Sequence, residues 1–145
     1  MFTINYTAVV VATIANFFFG FLWYTPLFGK AWAKELGIVV TGKPPAGALA
    51  KGLIMNVIGN FLMAYVYAHN QAAWTFVPGM AEMSSSGIIL SSAIFTWLGF
   101  YLPTDLNTVA WENKSWKFFA INAGYHLGMV LIAATILTIM GPISA

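Results

Sequence analysis

Several polar side chains stand inside long apolar segments of this chain, where an unpaired polar group is costly and therefore informative. Asn56 and Asn60 are four residues apart, as are Asn122 and His126, so each pair lies on one helix face. Counted at about 1.5 Å per residue, the deepest of them lie about 15 Å from one membrane surface. The pattern predicts a polar layer near the middle of a bilayer, formed by Asn16, Asn56, Asn60, Ser92, Thr96, Asn122 and His126.

This layer has two interpretations, and the sequence leaves both open. Asparagine, serine, threonine and histidine commonly hydrogen-bond between transmembrane helices, so the sole role of the layer could be to hold the helices together. It could instead bind or conduct a small polar solute, an ion or a proton, with His126 as the titrating group because histidine changes charge near neutral pH. A metal site is not expected, since zinc needs three or four ligands and His126 has no second ligand at its depth.

A second polar group, Tyr24, Tyr101 and Asp105, is predicted where the first and third helices end. It fits either a vestibule for a substrate or an ordinary solvated helix end. The predicted depths of Asp105 and His126 differ by about 15 Å, which is too far for the two to act together directly. With no phosphate-binding glycine loop and no Ser-His-Asp set, the sequence predicts no catalytic residues, no enzyme activity and no cofactor.

The elements that must position these residues follow from the distribution of charge. Only 7% of the residues are charged and 60% are hydrophobic, whereas soluble domains carry about 25% charged residues. Four charge-free stretches, 1–29, 52–81, 83–104 and 118–145, can each cross a bilayer. We therefore predict an all-α integral membrane four-helix bundle forming a single domain over 1–145, with spans at about 5–26, 48–70, 85–103 and 115–140.

The lysines predict the orientation of this bundle. All six fall in or beside two loops, 27–47 and 104–114: Lys30, Lys34, Lys43, Lys51, Lys114 and Lys117. By the positive-inside rule these loops face the cytoplasm, and both termini face outward. We expect a multi-pass protein of a bacterial cytoplasmic membrane, with the lipid bilayer as its first partner. A net charge of +2 is too small to indicate nucleic acid as a partner.

Three smaller patterns refine the architecture. Phe28, Trp32 and Leu36 recur every four residues, which predicts a short interfacial helix in loop one that ends at Gly37. The motifs 23–26 and 100–103 both read aromatic-Tyr-x-Pro, which is compatible with two helical hairpins repeated in parallel. Gly124 and Gly128 lie one turn apart and predict a close helix contact, inside the chain or with a second subunit.

The segment 16–32, Asn-Phe-Phe-Phe-Gly-Phe-Leu-Trp-Tyr-Thr-Pro-Leu-Phe-Gly-Lys-Ala-Trp, resembles the first-helix signature of a family known as domain of unknown function 1761. The segments 97–100, Trp-Leu-Gly-Phe, and 119–126, Phe-Ala-Ile-Asn-Ala-Gly-Tyr-His, fit the same family. The resemblance covers nearly the whole chain and implies a prokaryotic-type four-span membrane protein. It implies no reaction and no site residues, since the family has no assigned activity.

Two functional hypotheses follow. The first is a structural or accessory subunit that forms a homo-oligomer or joins a membrane complex, which fits the short loops and the small-residue face at Gly124 and Gly128. The second is a carrier or channel for a small solute, an ion or a proton, which fits the polar layer.

Overall fold

The computed structural model describes residues 4–39, 42 and 45–141, and four of its helical segments are long and apolar enough to cross a membrane. These segments are Tyr6–Leu27, Ala46–Trp74, Ser85–Ala110 and Trp116–Met140, called spans one to four below. They confirm the predicted all-α membrane fold. Lys43, one of the six lysines that predict the orientation, lies outside the described residues. The end of the bundle at which span one finishes and span two begins is called the lysine-bearing end.

Span one consists of α1 (Tyr6–Leu22) and a π-helix over Trp23–Leu27. Asn5 caps its start, because the Ala8 N–H donates to the Asn5 side-chain oxygen at 3.1 Å. Pro26 lies inside the π-helix without ending it, since the wider turn moves backbone carbonyls away from the proline ring. The short helix predicted in loop one follows as α2 (Gly29–Glu35).

Spans two and three depart in length from the predicted bounds. Span two is one long helix, α3 (Ala46–Trp74), which extends past both predicted ends. Span three consists of α4 (Ser85–Thr96), a π-helix over Trp97–Tyr101 and α5 (Leu102–Ala110). The predicted end of this span near Pro103 is wrong, because the π-helix again accommodates the proline and the helix continues to Ala110.

Span four is α6 (Trp116–Met140), and its first turn is tied to loop one. Ser115 caps it, since the Phe118 N–H donates to the Ser115 hydroxyl at 3.0 Å. That hydroxyl donates in turn to Glu35 at 2.5 Å, and Lys117 lies 3.9 Å from the same carboxylate. The contacts fix α2 against the start of span four.

The bundle is tightly packed at one end and open at the other. Span one packs against spans two and four, and span four packs against span three. The fully buried residues, with no exposed surface, lie mostly in the half away from the lysines: Ala8, Val9, Ala12, Ala64, Ala93, Val130, Ala133 and Ala134. In contrast, residues 46–59 of span two are all exposed, so this helix stands apart from its neighbours at the lysine-bearing end.

The two glycines of the small-residue face pack inside the chain. A Cβ atom at Gly128 would lie 2.5 Å from the Phe19 ring, and one at Gly124 would lie 3.2 Å from the Trp23 ring. Both aromatic residues belong to span one. The absence of a side chain at these positions therefore lets spans one and four approach closely.

Candidate functional site

A buried carboxylate and a histidine form an ion pair or charge-assisted hydrogen bond within the spans. His126 Nδ1 lies 2.8 Å from Asp105 Oδ2. The Asp105 side chain is 5% exposed and the His126 side chain 27%. A carboxylate can only accept a hydrogen bond, so an ionised Asp105 requires the histidine to carry its proton on Nδ1. The Nε2 atom is then the ring nitrogen that can gain or lose a proton.

The predicted separation of Asp105 and His126 is wrong for two structural reasons. Span three continues beyond Pro103, so Asp105 is part of a helix within the bundle and not a residue of a loop. In addition, side chains lean toward the N-terminus of their own helix. Spans three and four begin at opposite ends of the bundle, so the two side chains lean toward each other and close the difference in depth.

Two tyrosines enclose the histidine ring. The Tyr101 ring lies 4.9 Å from the His126 ring at an interplanar angle of 31°. The Tyr125 ring lies 5.5 Å from it, on the neighbouring residue of span four. Aromatic faces of this kind hold the imidazole in one orientation and attract it more strongly when it is protonated.

Span one adds a further polar contact beside this pair. The Tyr24 hydroxyl donates to the Asn122 side-chain oxygen at 2.8 Å, and the Tyr24 ring lies 4.9 Å from the Tyr125 ring. Tyr24, Tyr101 and Asp105, predicted as a separate group at the helix ends, are therefore part of one cluster with Asn122 and His126. We call these five residues the His126 cluster. It joins spans one, three and four.

The two π-helices position this cluster. The indole N–H of Trp23 donates to the Ile121 carbonyl at 3.0 Å, and the indole N–H of Trp97 donates to the Ala123 carbonyl at 2.8 Å. Each π-helix thus holds the backbone of span four next to Asn122. π-Helices are frequent at functional sites, where the extra residue re-aims the side chains that follow.

Apart from Asn16, which is fully buried, the remaining residues of the predicted polar layer divide between two other places. Asn60 is buried and donates to Asn56 at 2.9 Å within span two. Ser92 is half-buried and donates to its own backbone, at the Ile88 carbonyl, at 2.6 Å. The hydroxyl of the buried Tyr67 lies near Ser92 and Thr96 but forms no hydrogen bond in the described part of the chain. The predicted layer is therefore three polar groups in different helix contacts.

Comparison with known families identifies the family of the chain. The model of the family described as "Protein of unknown function (DUF1761)" matches residues 7–138. The chain belongs to this family. Neither the curated proteins nor the solved structures provide a match. The family resemblance seen in the sequence is thus confirmed, and the match covers almost the full length of all four spans of this DUF1761 member.

Sequence reasoning missed Trp23, Trp97 and Tyr125 as parts of this DUF1761 site. Aromatic residues near span ends commonly mark the membrane surface, and the position of Trp23 in the sequence favours that interpretation. Tyr125 stands directly before His126, on a neighbouring helix face, and that adjacency was the available signal. The contacts of the indole N–H groups depend on the π-helices, which no spacing in the sequence indicates.

Proposed function

We propose that this chain is a proton-binding membrane carrier, in which the His126–Asp105 pair gains and releases the proton. The observation that carries the proposal is a carboxylate 5% exposed and 2.8 Å from an imidazole inside two membrane-spanning helices. Ionisable residues in spans are expensive and usually mark ion or substrate pathways. Hydrogen bonding between helices alone needs only neutral side chains such as those of Asn122 and Tyr24.

The protonation state of the pair determines the charge of the site. With a proton on both ring nitrogens of His126, the imidazolium and the Asp105 carboxylate sum to zero. Loss of the Nε2 proton leaves one negative charge next to Tyr24 and Tyr101, in a region of low dielectric where a lone charge is poorly solvated. Protonation therefore changes the electrostatic environment of the cluster, which is what a proton-linked carrier requires.

Proton flux into proteoliposomes tests the proposal. Vesicles loaded with a pH-sensitive dye should acidify faster than protein-free vesicles when an acid pulse and a membrane potential are applied. His126→Phe and Asp105→Asn should each reduce the protein-dependent rate at least tenfold. The matched control is His69→Phe, which alters the other histidine, in span two away from the lysine-bearing end. If His126→Phe and His69→Phe conduct protons as the unmodified chain does, the carrier proposal is wrong.

A second candidate function, a self-associating or accessory subunit, is favoured by the exposure of span two. Residues 46–59 are exposed, and Asn56 is a polar residue among them. A helix with an asparagine on an uncovered face commonly gains hydrogen bonds by packing against another helix. We place such a homo-oligomer in a bacterial cytoplasmic membrane, with loops one and three inside.

Native mass spectrometry from mild detergent tests this second candidate. A dimer or higher oligomer should be observed, and Asn56→Leu should shift it toward the monomer, while Asn70→Leu at the opposite end of span two should not. A clean monomer at every protein concentration would argue against self-association.

A further inference from the structure

The side-chain amide of Asn16 is completely buried and makes no hydrogen bond. Its exposed fraction is 0%, and neither Nδ2 nor Oδ1 has a partner among the residues that the structure describes. A carboxamide can donate two hydrogen bonds and accept two. A buried polar group left unpaired is destabilising, and most such groups in folded proteins are paired. The Asn16 amide therefore indicates a missing polar partner.

An uncharged polar group of span four reaches span one about one helical turn from Asn16. Gly20 lies one turn from Asn16 on the same face, and a Cβ atom there would lie 3.1 Å from the Tyr125 hydroxyl. The absence of a side chain at Gly20 thus lets the Tyr125 hydroxyl of span four lie close to the surface of span one. The hydroxyl lies near the side chains of Asn56 and Asn60 on span two.

We infer that Asn16, Asn56, Asn60 and Tyr125 form a binding site for a small neutral solute that carries both hydrogen-bond donors and acceptors. Three carboxamides and one hydroxyl offer both kinds of partner and no charge, which fits a polyol, urea or a simple carboxamide. This inference rests on the proposed function and assigns the cargo of the proton-binding carrier.

The position of Tyr125 connects this site to the His126 cluster. Tyr125 and His126 are consecutive on span four, with ring centroids 5.5 Å apart, and the Tyr24 ring lies 4.9 Å from the Tyr125 ring. A change of charge at His126 therefore acts directly beside the residue whose hydroxyl lies near Asn56 and Asn60. Cargo and proton would bind to neighbouring faces of the same short stretch of span four.

Osmotic swelling of proteoliposomes tests the inference. Under an inward gradient of glycerol, urea or acetamide, light scattering should show entry of at least one solute several-fold faster than into protein-free vesicles. Asn16→Leu and Tyr125→Phe should return the rate to the protein-free level. Asn70→Leu is the matched control, because Asn70 is exposed at the far end of span two. Tyr125→Phe removes one hydroxyl and retains the ring, so it decides the result if Asn16→Leu does not fold.

Two outcomes would overturn the inference. If no solute enters faster than into protein-free vesicles while proton flux still depends on His126, the solute site is wrong and the carrier proposal stands. If Asn16→Leu raises the melting temperature and leaves swelling unchanged, the amide is only a tolerated buried polar group. Solute entry that depends on Asn16, with no proton flux, would support the site and contradict the carrier proposal instead.

Discussion

At the scale of single residues, the burial of Asp105 makes it dependent on His126. A carboxylate inside a membrane bundle has few ways to be solvated, and the imidazole at 2.8 Å supplies a charged or hydrogen-bonding partner. A substitution of His126 leaves the Asp105 carboxylate unpaired. Comparison with a variant that lacks both groups shows whether the pair stabilises the protein or is retained at a cost in stability.

His126→Phe should therefore destabilise the protein, and adding Asp105→Leu should restore much of the loss. We expect the single substitution to lower the free energy of unfolding by about 2–3 kcal/mol, less than a fully buried pair because the histidine side chain is 27% exposed. The double variant should recover at least half, since no unpaired carboxylate remains. Thermal unfolding followed by tryptophan fluorescence measures both. Equal stability of the single and double variants would contradict the prediction.

At the scale of helices, the contact between spans one and four depends on Gly128. Phe19 lies over this glycine, and its ring is held in turn by stacking on Tyr125, with centroids 5.7 Å apart and planes at 8°. The ring therefore has little freedom to move away from an added methyl group. In contrast, a Cβ atom at Gly59 on span two would meet nothing within 4 Å in the described residues.

Gly128→Ala and Gly59→Ala should accordingly change stability in opposite directions. Gly128→Ala forces Phe19 and Tyr125 apart, and overpacking of this kind costs about 1–3 kcal/mol. Gly59→Ala gains up to about 1 kcal/mol from the higher helix propensity of alanine. Thermal unfolding of the two variants in the same detergent measures the difference. If Gly128→Ala is as stable as the unmodified protein, spans one and four do not pack as closely as described.

The helix scale also explains how far the sequence could predict this site. The caps Asn5, Ser84 and Ser115 and the four spans follow from local rules, because capping and length depend on neighbouring residues. The end of span three does not follow from such local rules, because Pro103 stops an α-helix but is tolerated after a π-helix. This local difference placed Asp105 in a loop in the sequence analysis and hid its contact with His126.

At the scale of the whole molecule, the orientation in the membrane stays a prediction that cysteine labelling can test. The chain contains no cysteine, so every single-cysteine variant carries one thiol in an otherwise unmodified protein. Val77 between spans two and three and Glu112 between spans three and four are both exposed. Because the lysines favour the cytoplasmic side for loops one and three, a membrane-impermeant maleimide should label Val77→Cys in intact cells and Glu112→Cys only after lysis. The reverse pattern would invert the bundle and place the open, lysine-bearing end outside. The expected pattern would instead direct that opening, and with it the His126 cluster, toward the cytoplasm.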